Sequence, residues 1–183
     1  ALAFGLGTTL WSMAVIAEIY PLNALLIMAP VVCLLLWRER RRDGYLLAAA
    51  FLMGFAMTNH MTSGLVLPGA ALFVAAVERR KLLEWRLLAK GAGLFALGLT
   101  PYLYLPIRAS MDPPLDEWEP TSLGRFWYLV GGGDHQKLLW EFGPAELPGR
   151  FMLYLGYLFQ NFHWGLVMVA MVGMAVLVAR DRA

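Results

Sequence analysis

Glu18 is the only carboxylic acid between Ala1 and Glu39, set in the run Ala17-Glu18-Ile19-Tyr20-Pro21 at the edge of an apolar segment. Such an acid has two physical readings. It can act as a general base on a substrate hydroxyl at a membrane face, since acids in such segments tend to be functional. Or it can complement the positive end of the following helix while reaching water. Further on, Thr58-Asn59-His60-Met61-Thr62 gathers side chains able to hydrogen-bond a sugar hydroxyl or a phosphate, and a neutral His60 can shuttle a proton. The plainer reading is a polar turn that satisfies its own backbone. Arg108, after Tyr102-Leu103-Tyr104-Leu105-Pro106-Ile107, offers a guanidinium fork suited to phosphate, against simple snorkelling toward headgroups.

Other polar groups point less far. Asp112 and the run Asp116-Glu117-Trp118-Glu119 bring carboxylates together, but a solvated acidic loop face is the ordinary outcome. Gly131-Gly132-Gly133 lacks the lysine and the strand–turn–helix setting of a phosphate loop, so it reads as a flexible turn. His60, His135 and His163 show no ligand spacing, and Cys33 stands alone, so neither a metal site nor a disulfide framework is expected. No cofactor is expected, and the need for a divalent cation is left open.

The elements that must position these groups are membrane-like. The chain has 183 residues, 60% hydrophobic and 15% charged, against about 25% charged in a soluble domain. Charge is confined to short clusters between long uncharged runs. Fifteen Lys/Arg against thirteen Asp/Glu leave a net charge of +2, which argues against a nucleic-acid partner. The bilayer is the expected partner. Ala1 opens the chain without a basic n-region and cleavage site, so the first residues do not read as a signal peptide. The sequence reads as starting partway through a larger membrane protein.

A crossing needs about 20 apolar residues. Ile19 to Trp37 supplies one, ended by Arg38, Arg40, Arg41 and Arg42. The uncharged run from Gly44 to Val77 would be about 51 Å long as one helix, against a hydrocarbon core of about 30 Å. Two short spans joined near Asn59 to Ser63 fit better. Gly91 to Ile107, extended by Leu87 and Leu88, makes another span. An interfacial helix at about 151–162 and a final span at about 163–179 follow, and residues 1–17 hold a further apolar stretch. The expected fold is therefore all-α, a polytopic transmembrane helical bundle of about five to six spans. It forms one partial transmembrane domain over residues 1–183.

The basic clusters at 38–42, 79–90 and 180–182 hold eleven of the fifteen basic residues. They fall on one side only if residues 44–77 cross twice, and the positive-inside bias makes that side cytoplasmic. Pro106 to Arg150 is then the one large exoplasmic segment, with seven acidic and four basic residues and helical stretches expected at 122–130 and 134–142. Loops of this length with their own aromatics are usually functional. A multi-pass location in a bacterial inner (plasma) membrane is expected.

A family resemblance joins these residues. Trp11 to Leu25 resembles the W-S-x-A-V-I-A-E-V-Y-x-L-N-A-L signature of a large DUF2723-type membrane family that includes an animal protein O-mannosyltransferase. Gly54 to Thr62 is similar to its G-L-x-x-x-N-H-x-T segment. Tyr102 to Trp118, with Pro120 and Phe126, resembles its Y-L-Y-L-P-[IL]-R-A…P-P-[IL]-x-W-x-x-P…F stretch. Tyr20, Asn59 and Arg108 fall on patterned positions. The resemblance implies a type C glycosyltransferase-like fold that transfers sugar from a polyprenyl-phosphate-linked donor to an acceptor hydroxyl on the exoplasmic side. It makes Glu18, or an acid preceding this chain, the catalytic base. Tyr20, Asn59, His60, Arg108 and Trp118 become the expected substrate contacts. Sugar and acceptor stay open. The alternative is a non-catalytic scaffold or transporter segment for cell-envelope assembly, although no inverted repeat or matched pair of broken spans marks a transporter.

Overall fold

A computed structural model describes residues 7–16, 19–114, 119–133, 135–136 and 141–181, and all regular structure among them is helical. The chain divides into two compact units, Ala1–Glu18 with Lys137–Ala183, and Ile19–Gln136.

In the second unit α2 (Tyr20–Arg40) starts with Pro21 in its first turn, where the missing N–H costs no helical bond. It ends at Arg41, which takes the left-handed conformation (φ 52°) and donates its N–H to the Trp37 carbonyl at 2.8 Å. Arg38 and Arg40 in the last turn complement the helix dipole. α3 (Gly44–Asn59) stops at His60, whose extended backbone (φ −154°, ψ 121°) breaks the helix. A 3-10 turn at Met61–Leu65 leads into α4 (Val66–Glu78), and a second at Arg79–Leu83 leads toward α5 (Trp85–Gly98). The break thus falls inside the 59–63 segment where helix length demanded one.

α3 is the central helix, packed on α2 and on α5. Glycine permits the second contact: a Cβ on Gly98 would come within 2.7 Å of the Phe55 nitrogen, and one on Gly54 within 3.0 Å of the Phe95 carbonyl carbon. Small residues at such a crossing let two backbones approach. The core at the basic end gathers Leu34, Trp37, Ala49 and Val74, with Trp37 wholly buried. An ionic clip closes that end. Lys81 reaches Asp43 at 2.9 Å and Glu84 at 3.1 Å, and Arg41 reaches Glu78 at 3.3 Å.

α5 does not run on to Ile107 as expected. Pro101 has no N–H for the Leu97 carbonyl, which accepts instead from Thr100 Oγ1 at 2.8 Å. A 3-10 turn (Thr100–Leu103) and short α6 (Tyr104–Ala109) follow. α7 (Leu123–Val130) then matches the expected 122–130 helix, with Ser122 Oγ accepting from the Arg125 N–H at 3.3 Å. The second expected loop helix, 134–142, lies largely outside the described residues.

The first unit contains α1 (Thr8–Ala14), α8 (Leu147–Asn161) and α9 (Trp164–Asp181). The last two follow the expected division of 151–179, and they meet at a 110° bend.

The number of spans is smaller than the sequence predicts. Among the described residues two helices are long and apolar enough to cross a membrane, Tyr20–Arg40 and Met61–Leu83, or three if the bent pair counts as one. The reason is length: the 16 residues of α3 and the 14 of α5 reach only about 24 and 21 Å at 1.5 Å per residue. The polar turn at His60 cuts one uncharged run and Pro101 the other before either reaches bilayer thickness.

Candidate functional site

The end of α3 is fastened to the start of α2 by side chains from the polar turn. Asn59 Nδ2 donates to the Ile19 carbonyl at 3.4 Å, and Ser63 Oγ donates to Asn23 Oδ1 at 2.7 Å. The Tyr102 hydroxyl donates to the Met57 carbonyl, drawing the segment after α5 onto the same corner. Beside these ties lies an open cavity of about 570 Å³. Tyr20, Asn59, His60 and Thr62 line it from one side, Tyr102 and Leu105 from another. The end of α7 and the turn after it complete the wall with Tyr128, Gly132, Gly133 and His135.

The hydrogen bonds of His60 select one tautomer of its neutral ring. Its Nδ1 accepts from the Thr62 backbone N–H at 3.3 Å and lies 2.7 Å from Thr62 Oγ1. A backbone N–H can only donate, so Nδ1 carries a lone pair and the ring proton of the neutral imidazole resides on Nε2. The Tyr20 ring lies 6.1 Å from the His60 ring, tilted by 40°.

The last two glycines of the triplet, Gly132 and Gly133, form part of the cavity wall. Gly133 N–H returns to the Tyr128 carbonyl at 2.8 Å and Gly132 N–H to the Leu129 carbonyl at 3.0 Å, closing the end of α7. Gly132 has φ 64°, and a Cβ there would collide with the sulfur of Met61. At Gly133 a Cβ would strike the Tyr128 ring.

Among the described residues, the lining carries no Asp, Glu, Lys or Arg. Phenol and amide groups, two imidazoles and aromatic faces suit a neutral hydroxylated ligand better than an isolated charge. Among the described residues no group of three or more His, Cys, Asp or Glu is placed to hold a metal ion.

Of the expected site residues, Tyr20, Asn59 and His60 share this cavity. Arg108 does not line it. It lies on α6 one turn beyond Leu105, exposed, with Nη1 4.0 Å from Met111 Sδ. Glu18 and Trp118 lie outside the described residues, as do Asp116 and Glu117. Glu119 is engaged with Arg125 at 2.7 Å, the ordinary fate of a surface carboxylate. Tyr102, Tyr128, His135 and the glycine triplet were not expected here. Tyr102 lay within a quoted motif, and the three glycines signalled only a turn.

Residues 1–83 match the family model for the protein O-mannosyl-transferase TMEM260 N-terminal domain. The match covers less than half of the chain. It takes in the segments that carry Tyr20, Asn59 and His60, and stops short of Tyr102, Arg108, Tyr128 and His135. No curated protein and no solved structure matches the chain.

Proposed function

We propose that this chain is part of a membrane glycosyltransferase of the protein O-mannosyltransferase kind. The observation that carries the reading is the match of residues 1–83 to the O-mannosyl-transferase domain. The hydroxyl-rich cavity, to which Tyr20 and Met57 to Thr62 of that segment contribute, is consistent with it. The donor is a polyprenyl-phosphate-linked sugar and the acceptor a hydroxyl on a protein. Reaction takes place at the exoplasmic face of a multi-pass membrane protein whose basic loops face the cytoplasm.

In this reading Glu18, two residues before Tyr20 in the chain, accepts the proton of the acceptor hydroxyl. The acceptor oxygen bonds to the anomeric carbon as the bond from that carbon to the phosphate oxygen breaks. The lipid phosphate leaves with the electron pair, and the configuration inverts. Arg108 offsets the charge on the leaving phosphate. Asn59 and the Nε2–H of His60 bind sugar hydroxyls, with Tyr20 and Trp118 as aromatic contacts.

The test uses the whole protein in isolated membranes, radiolabelled polyprenyl-phosphate sugars and a hydroxyl-bearing peptide. Transfer is expected in the wild type and a loss of at least a hundredfold in Glu18→Gln and in Arg108→Ala, at equal insertion. Transfer retained by both variants removes these residues from the mechanism. Binding without transfer in the wild type makes the protein a lipid-binding scaffold.

A further inference from the structure

A second cavity, of about 310 Å³, lies on α3 between α4 and α5. Its floor is the buried row Leu34, Ala49 and Met53, while its lips, Leu67 and Ala71 on α4 and Leu88 and Ala92 on α5, are exposed. It is therefore a groove open to the surroundings of the helices. Among the described residues Lys81 is the one charged residue in its lining, at the end where α4 turns toward α5. The lysine side chain is only 16% exposed, and its ammonium is held at 2.9 Å by Asp43 and 3.1 Å by Glu84. A stem along apolar surface with its charge drawn out to polar groups marks where hydrocarbon gives way to water.

The surface around that end is basic and aromatic. Arg79, Arg80, Arg86 and Lys90 are exposed, and Trp85 is 71% exposed with the Arg86 guanidinium 5.5 Å from its ring centre. Glu78 and Glu84 are engaged with Arg41 and Lys81. From Glu78 to Lys90 there are five basic and two acidic residues, which leaves a net charge of +3. Tryptophan beside arginine is the composition of a membrane interface, and polybasic segments attract anionic headgroups.

We propose that the groove holds one acyl chain of an anionic phospholipid, with the phosphate met by Arg79, Arg80 and Arg86. The site is distinct from the polar cavity: Met53 lines the groove, and Met57, one turn further along α3, lines the polar cavity. It does not depend on a transferase activity.

The test is native mass spectrometry of the whole protein, released from membranes in mild detergent and offered phosphatidylglycerol or phosphatidylcholine. One phosphatidylglycerol is expected to be retained at least tenfold more strongly than phosphatidylcholine. Gly91→Leu and Ala71→Trp, which fill the groove, should each reduce that retention at least tenfold. The surface triple variant Arg79→Gln, Arg80→Gln and Arg86→Gln should keep a bound lipid but lose the preference. Equal retention of both lipids, or unchanged occupancy in the filled variants, overturns the proposal. Displacement of phospholipid by polyprenyl phosphate alone assigns the groove to the donor's tail instead. Absence of any bound lipid means that another protein segment covers it.

Discussion

Ser63 and Asn23, forty residues apart in the chain, share a 2.7 Å hydrogen bond from Oγ to Oδ1, with the serine wholly buried. The bond holds the turn after α3 against the first turns of α2, where Tyr20 and His60 face one cavity. Asn23→Leu would leave the buried hydroxyl unpaired at a cost of about 1–3 kcal/mol. Thermal unfolding in detergent should show a clear fall in Tm. Pairing Asn23→Ala with Ser63→Ala should cost less than the sum of the single changes. Additive losses would mean that the two residues act separately.

The crossing of α3 and α5 gives a sharper prediction. A Cβ on Gly98 meets the Phe55 backbone nitrogen at 2.7 Å, an atom that cannot rotate away. Gly98→Val should separate the helices and prevent accumulation of folded protein. Gly69 in α4 has no neighbour within 4 Å of an added Cβ, so Gly69→Ala should be neutral or gain up to about 1 kcal/mol from helix propensity. Size-exclusion profiles of the two variants make the comparison.

What the sequence could and could not disclose follows from the range of each signal. The break at His60 was legible because 34 uncharged residues cannot span a bilayer as one helix, and polar side chains mark where they turn. Asn59 and His60 were legible as polar groups where an uncharged run must turn, and Tyr20 only through the family signature over Trp11 to Leu25. The ending of α5 at Gly98 was missed although Pro101 was in view, because hydropathy alone carries the run on to Ile107. Tyr128 and His135 were invisible as residues lining the same cavity as His60. They reach the cavity through the fold of the glycine triplet, and nothing in local spacing encodes that return.

The hydrogen bonds of His60 fix its tautomer, and NMR on nitrogen-labelled histidine can read it. With Nδ1 accepting from the Thr62 N–H, the neutral ring should show a protonated Nε2 and a bare Nδ1. Thr62→Val removes the 2.7 Å hydroxyl contact and keeps the N–H bond. It should broaden the ring's orientation without reversing the tautomer. A protonated Nδ1 in the wild type would show that the turn is not capped this way.

Gly132 tests whether the glycine triplet is a wall or a connector. Its φ of 64° disfavours any residue with a Cβ, and the added carbon would strike the sulfur of Met61. Gly132→Ala should therefore cost about 1–2 kcal/mol from the backbone alone, with the steric clash added to that. The wall would shift against Met61, so sugar-donor affinity should fall roughly tenfold if the lost free energy is taken from binding. Met61→Ala clears the space but cannot relax the backbone, so the double variant should recover part of the loss and not all of it. Titration calorimetry with polyprenyl-phosphate sugar on wild type, single and double variants measures each step. Full recovery would assign the effect to the side-chain collision, and no change in Gly132→Ala would leave the triplet as a connector only.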